Sequence, residues 1–186
     1  KASESFRRIA KSLPPGPINV IYNSALVQSD KNDSELLDAV MAREIVDVGV
    51  MGLIRAIEGF EEALLRHGGC FFGISSASAL SYPIAGPLVT YPASKAFMDK
   101  MLQGLSVVWP EHVRVLVIHL GRVGSAQEST CGRFYYPTYS RTARHIRKIL
   151  DSQSRSRSYT YPLIHAVAFR VLHHVLRFSW PARLTK

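Results

Sequence analysis

An α/β fold built on a parallel sheet is the architecture this sequence predicts, and three features carry the prediction. Short apolar, β-branched runs alternate with longer segments whose apolar residues recur at helical spacing, the order expected of a sheet covered by helices on both sides. One run, "VRVLVIHL" (113–120), is apolar almost throughout, as in a strand buried on both faces. With 186 residues, 47% hydrophobic and 20% charged, the chain can bury a sizeable core and does not have the composition of a disordered one. No internal repeat and no dividing linker is visible, so residues 1–186 are expected to form a single domain.

The elements follow in chain order. "SESFRRIAKSLPP" reads as the tail of an amphipathic helix stopped at Pro14 and Pro15, whose rings cannot continue the ladder. Ile18 to Asn23, "INVIYN", has strand character. From Asp33, "DSELLDAVMAREIVDVGVMGLIRAIEGFEEALLRHGG" holds helical spacing for most of its length and closes at Gly68 and Gly69, a helix stop followed by a turn. "CFFGIS" (70–75) is strand-like, and "PASKAFMDKMLQGLSVVWP" (92–110) returns to the helical period until Pro110 ends it. After strand 113–120 come a short basic helix, "TARHIRKILDS" (142–152), a last strand, "SYTYP" (158–162), and a final helix, "LIHAVAFRVLHHVLRFSW" (163–180).

Charge and cysteine content narrow the partners. The 23 Lys and Arg residues against 14 Asp and Glu leave +9, which suits nucleic acid, a membrane surface or a phosphate-bearing cofactor. Nucleic acid is not expected, because "SRSRS" (154–158) is five residues without aromatic platforms and reads as a solvated turn. Cys70 and Cys131 have no metal-ligand spacing and form no disulfide framework, which fits a reducing, cytoplasmic setting, with Cys70 in the core. The chain opens at Lys1 inside a helical segment, with no signal peptide, so an earlier segment is expected.

The stretch 162–180 is a basic amphipathic helix. His165, Arg170, His173, His174 and Arg177 fall on one half of its circumference, and Ile164, Val167, Val171, Leu172, Val175 and Phe178 on the other. Its expected role is packing at the end of the sheet or in a homo-oligomer interface, with peripheral membrane contact as the alternative. It is too polar to cross a membrane, and His173 and His174, being adjacent, make a poor metal pair.

The stretch that bears chemistry is "TYPASKAFMDK" (90–100), which sets Tyr91 and Lys95 on one helix face, four residues apart. A phenol with a pKa of about 10 is a poor base at neutral pH. An ammonium within ~4–6 Å lowers it. The pair is thus a candidate proton-transfer device, with an ordinary surface pair as the alternative. The preceding run, "GISSASALSYP" (73–83), supplies hydroxyls, either for catalysis or for a hydroxyl-rich turn.

Tyr91, Pro92, Ala93, Ser94 and Lys95, opening a helix after a strand that ends "GISS", resemble the active-site signature of the short-chain dehydrogenase/reductase family. The order of elements agrees. "INVIYNSAL" is similar to that family's fourth strand with its Asn-Asn-Ala-Gly segment, "DVGVMG" to its Asn-Val-x-Gly helix segment, and "IHLGRVGS" to its Pro-Gly-x-Val-x-Thr loop. Tyr-x-x-x-Lys alone is a weak signal; in this order, over nearly the whole chain, it is specific.

The resemblance implies an oxidoreductase that uses NAD or NADP on a small-molecule hydroxyl or carbonyl substrate. It implies Tyr91 as acid/base, Lys95 holding the nicotinamide ribose and Ser76 polarising the carbonyl. It places Asn23, Ala25, Tyr91, Lys95, Gly121, Val123 and Ser125 along the cofactor, and no metal. Ser76 matches by its place at the strand end, with two residues more than usual before Tyr91; Ser78 has the usual separation but lies past the strand. An insertion in "SALSYPIAGPL" reconciles Ser76 with the fold.

The sequence also departs from the family's pattern. Gly49 stands where the family has its relay asparagine, Leu26 replaces the glycine of Asn-Asn-Ala-Gly, Leu120 replaces proline, and Ser125 takes the threonine position. No Gly-x-Gly occurs, so the glycine-rich turn for the pyrophosphate is missing. The fold implied is a partial Rossmann-like, doubly wound parallel sheet lacking the first three strands, with this chain as the C-terminal part of the domain. The strand at 18–23 would then be an open edge carrying Ile18, Val20 and Ile21. Two readings follow: an active oxidoreductase, or a non-catalytic relative or fragment that serves binding or has no function. The aromatics of "AQESTCGRFYYPTYSR" (126–141), Phe134, Tyr135 and Tyr136, fit an apolar substrate, a lid or the core.

Overall fold

The structure, a computed structural model, describes residues 2–24, 26–27, 29–31, 37–80, 88–124, 137–152, 157–164, 167 and 171. Its helices are α1 (Ala2–Ser12), α2 (Ala39–Val46), α3 (Gly52–His67), α4 (Thr90–Val108) and α5 (Tyr139–Asp151). Its strands are β1 (Ile18–Tyr22), β2 (Gly69–Ser76), β3 (Val113–Leu120) and β4 (Arg157–Tyr161). The strands form one sheet in the order β1-β2-β3-β4, with every pair parallel. This is the expected α/β, Rossmann-like class. Among the described residues β1 is an edge strand, with Ile18 buried and Ile21 52% exposed.

The period-two pattern of the strands divides the core between the two faces of the sheet. Phe71, Val113, Val115 and Val117 meet Leu53, Ile57 and Leu64 of α3 and Met98 and Leu102 of α4. The intervening residues Cys70, Phe72, Leu116 and Ile118 meet Ile149 of α5. Cys70 is buried as expected, which pushes its thiol up to about 11 against the pull of Arg114. Gly73 lets α4 lie close to β2, because a Cβ there would strike Leu102. Gly59 does the same for α1, whose Phe6 sits where that Cβ would be.

Several boundaries differ from the sequence expectation. The long helix expected from Asp33 begins, among the described residues, at Ala39, because the Asp38 carboxylate accepts hydrogen bonds from the Val40 and Met41 amides at 2.9 and 3.1 Å. It is also interrupted by a π-helical turn over Asp47–Met51 before α3 continues. The stop at Gly68 and Gly69 is as expected, with φ of 74° and 127°. The basic helix starts earlier, at Tyr139, because Thr138 caps it through the Arg141 amide. The reading of "SRSRS" as a turn is corrected at its end: Arg157 and Ser158 already belong to β4, paired with Leu116 and Val117. Ala25, residues 81–87, Ser125, Cys131, Phe134, Tyr135 and Tyr136 lie outside the described residues. So does most of the helix expected at 162–180, including His165, Arg170, His173, His174 and Arg177. Among the described residues no helix is long and apolar enough to cross a membrane.

Candidate active site

The parallel order brings the carboxyl ends of β1, β2 and β3 to one side of the sheet, beside the first turns of α4, where open α/β sheets hold ligands. Asn23 after β1, Ser76 at the end of β2, Tyr91 and Lys95 of α4, and Gly121 and Val123 after β3 line one cleft of about 880 Å³. Tyr139, Ala143 and Ile146 of α5 form another wall. Ala25 and Ser125 lie outside the described residues; every other residue expected at the site lines this cleft.

Lys95 is 2% exposed, so the surface-pair alternative does not describe it. Its Nζ donates to the carbonyl oxygens of Ser24 and, at 3.0 Å, Ile74, tying α4 to the ends of β1 and β2. Burial pulls its pKa down to about 8, with Asp99 pulling back up. Nζ lies 5.8 Å from the centre of the Tyr91 ring. Burial raises the Tyr91 phenol above its ordinary value, and a hydrogen bond with the Ser76 side chain opposes the rise. Burial and Ser76 therefore govern the phenol.

The two candidate serines are joined. The Ser78 hydroxyl donates to Ser76 Oγ at 2.9 Å and the Ser78 amide to the same atom at 3.2 Å, so Ser76 stands between Ser78 and Tyr91. Gly49 is buried in the π-helical turn, and a Cβ there would lie 2.9 Å from Ser94 Oγ. Ser94, whose hydroxyl donates to the Tyr91 carbonyl at 2.8 Å, thus fills the space where an asparagine side chain would begin.

Three polar residues of the site were not singled out by sequence reasoning. The Asp30 carboxylate accepts hydrogen bonds from the Val89 and Thr90 amides and so fixes the start of α4. Asp99 and His119 form a buried pair, Nε2 to Oδ2 at 2.6 Å. The available signal was Asp99 at four-residue spacing from Lys95, and a histidine inside the apolar run 113–120. Nothing in the sequence links Asp30 to a helix start some sixty positions on.

A sequence model of the family described as short chain dehydrogenase matches residues 1–132. No curated protein matches the chain. Among solved structures, a short chain dehydrogenase from Burkholderia cenocepacia J2315 in complex with NADP is similar with a TM-score of 0.71 and 20% identity, over 99% of this chain and 77% of that one. An alcohol dehydrogenase from the archaeon Thermococcus sibiricus, complexed with 5-hydroxy-NADP, gives 0.68 and 18%, over 86% and 68%. A short-chain type dehydrogenase/reductase from Mycobacterium ulcerans gives 0.66 and 18%, over 86% and 64%. At these identities the likeness is one of fold.

Proposed function

This chain belongs to the short-chain dehydrogenase family, and from that premise we propose that its cleft is an NAD(P)-dependent oxidoreductase site acting on a small hydroxyl or carbonyl substrate, with Tyr91 as acid/base. The observation that supports this reading is the meeting of Tyr91, Lys95 and Ser76 in one cleft, with Tyr91 bonded to Ser76. The residues present fit the nicotinamide end of the cofactor. The Lys95 ammonium has three hydrogens and uses two on Ser24 and Ile74, leaving one for a ribose hydroxyl in the cleft. Asn23, Gly121 and Val123 would lie along the same group, and Ala25 and Ser125 complete the proposed set.

When bound, the nicotinamide supplies the hydride donor or acceptor. Tyr91 gives a proton to the substrate oxygen during reduction and takes it back during oxidation. Ser76 donates a hydrogen bond to the same oxygen, stabilising the negative charge that develops there. The charged form of Lys95 favours the phenolate and holds the ribose. Ala143 and Ile146 offer the substrate an apolar wall.

The second reading, a non-catalytic binding module, is favoured by the glycine at position 49, which leaves no side chain in the buried π-helical turn beside Ser94. Thermal melts with NADH and NADPH separate the two, since a ligand at a hundred times its Kd adds about 2.7 kcal/mol. In the oxidoreductase reading a coenzyme raises the melting temperature, and Tyr91→Phe keeps that rise while kcat falls about 10²–10⁴-fold. Unchanged turnover in Tyr91→Phe overturns the role of Tyr91, and no shift with either coenzyme overturns the cofactor site.

A further inference from the structure

Behind the cleft, α4 carries Tyr91, Lys95 and Asp99 at intervals of four residues, so the three lie along one helix face. Asp99 is 5% exposed and His119 2%. By its place in β3, His119 continues the row of Val113, Val115 and Val117, a polar ring in an otherwise apolar row. The polar pair is instead held from both sides. His119 Nε2 is 2.6 Å from Asp99 Oδ2, while Nδ1 lies 3.0 Å from the Tyr159 carbonyl oxygen and 3.3 Å from Ser158 Oγ. A carboxylate only accepts, so the bond that anchors Asp99 needs a hydrogen on Nε2, which donates to Oδ2. The other oxygen, Asp99 Oδ1, is buried with no hydrogen-bond partner among the described residues. An aspartate so placed in an apolar layer costs stability unless it serves another charge.

One turn back on the same helix face stands a second buried charge, Lys95, 2% exposed. The titratable groups around it are Tyr91 and Asp99 on its own helix and, behind Asp99, His119 of β3; the ends of β1 and β2 offer the carbonyls of Ser24 and Ile74 and the Ser75 hydroxyl. We propose that Asp99, anchored by His119, is a positioning residue whose carboxylate, one helical turn from Lys95, keeps that ammonium charged where the Ser24 and Ile74 carbonyls hold it. His119 fixes the carboxylate to β3 and β4; the carboxylate sets the charge of Lys95; Lys95 meets the cofactor ribose. The direction of the pKa change agrees: burial drags the Lys95 ammonium towards neutrality, and Asp99 opposes it.

The last step rests on the oxidoreductase reading, but the charge of Lys95 can be measured without turnover. In the full chain labelled with 13C- and 15N-lysine, NMR titration from pH 6 to 11 follows the Lys95 side chain, assigned by its loss in Lys95→Arg. Asp99→Asn is expected to raise the proton-dissociation constant of Lys95 about tenfold or more, and Asp99→Glu to restore part of it. His119→Gln, which keeps the carboxylate but frees it, is expected to move the constant less and in the same direction. An unmoved constant in folded Asp99→Asn overturns the proposal. If that variant does not fold, an unmoved constant in His119→Gln overturns it. Failure of the oxidoreductase reading has a different signature, the absence of any coenzyme effect on the melt, and leaves this titration readable.

Discussion

Asp30 shows how one side chain can set the geometry of a distant site. Its carboxylate is closed to solvent although it sits near the surface. Burial pushes its pKa up, but hydrogen bonds from the Thr90 hydroxyl and the Thr90 and Val89 amides outweigh this and hold the group below the usual carboxylate range. A group with a depressed pKa stabilises the fold above its unfolded value and ceases to do so as pH falls through its folded one. Asp30→Asn should therefore cost about 1–3 kcal/mol in urea melts at pH 7. The gap from the native chain should narrow as pH drops below about 3.9; a gap independent of pH would overturn the account. Tyr91 and Lys95 were legible because their spacing and their chemistry both lie within five residues. Asp30 was not, because a cap supplied from sixty residues away leaves no local pattern. Asp99 and His119 stood out only as polar interruptions of apolar runs, and their partnership needed the strand register.

At the scale of elements, the contact of α1 with α3 depends on a missing side chain. Gly59 faces Phe6, whose ring lies 5.7 Å from that of Phe60. Gly59→Val would gain roughly 0.5 kcal/mol of helix propensity but would force α1 outward, and such overpacking costs about 1–3 kcal/mol. A net loss in the thermal melt is the expected result; a gain would show that α1 yields freely. Strand β3 was legible to the residue, because an uninterrupted apolar run between Pro110 and Gly121 admits few alternatives. The start of α2 was not, because the apolar spacing runs on from Asp33 without a break and only the fold shows Asp38 capping the helix. The π-helical turn at Asp47–Met51 was also hidden, because one extra residue in a turn hardly disturbs apolar spacing over sixteen more.

For the whole molecule, alternation of element types was enough to give a parallel sheet, and the parallel sheet in turn places a cleft at its carboxyl ends. Among the described residues the two coverings of the sheet are also unequal. One rests on α3 and α4 through a dozen buried residues, and the other on α5 through five. Local opening follows the thinner seal. Amides of Ile146, Ile149 and Leu150 should exchange with deuterium faster than those of Phe71, Val115 and Met98, and equal rates would mean that the two sides open as one. Since α5 is also a wall of the cleft, the faster exchange would fall on the side a guest touches, and the slower on the helix that carries Tyr91 and Lys95.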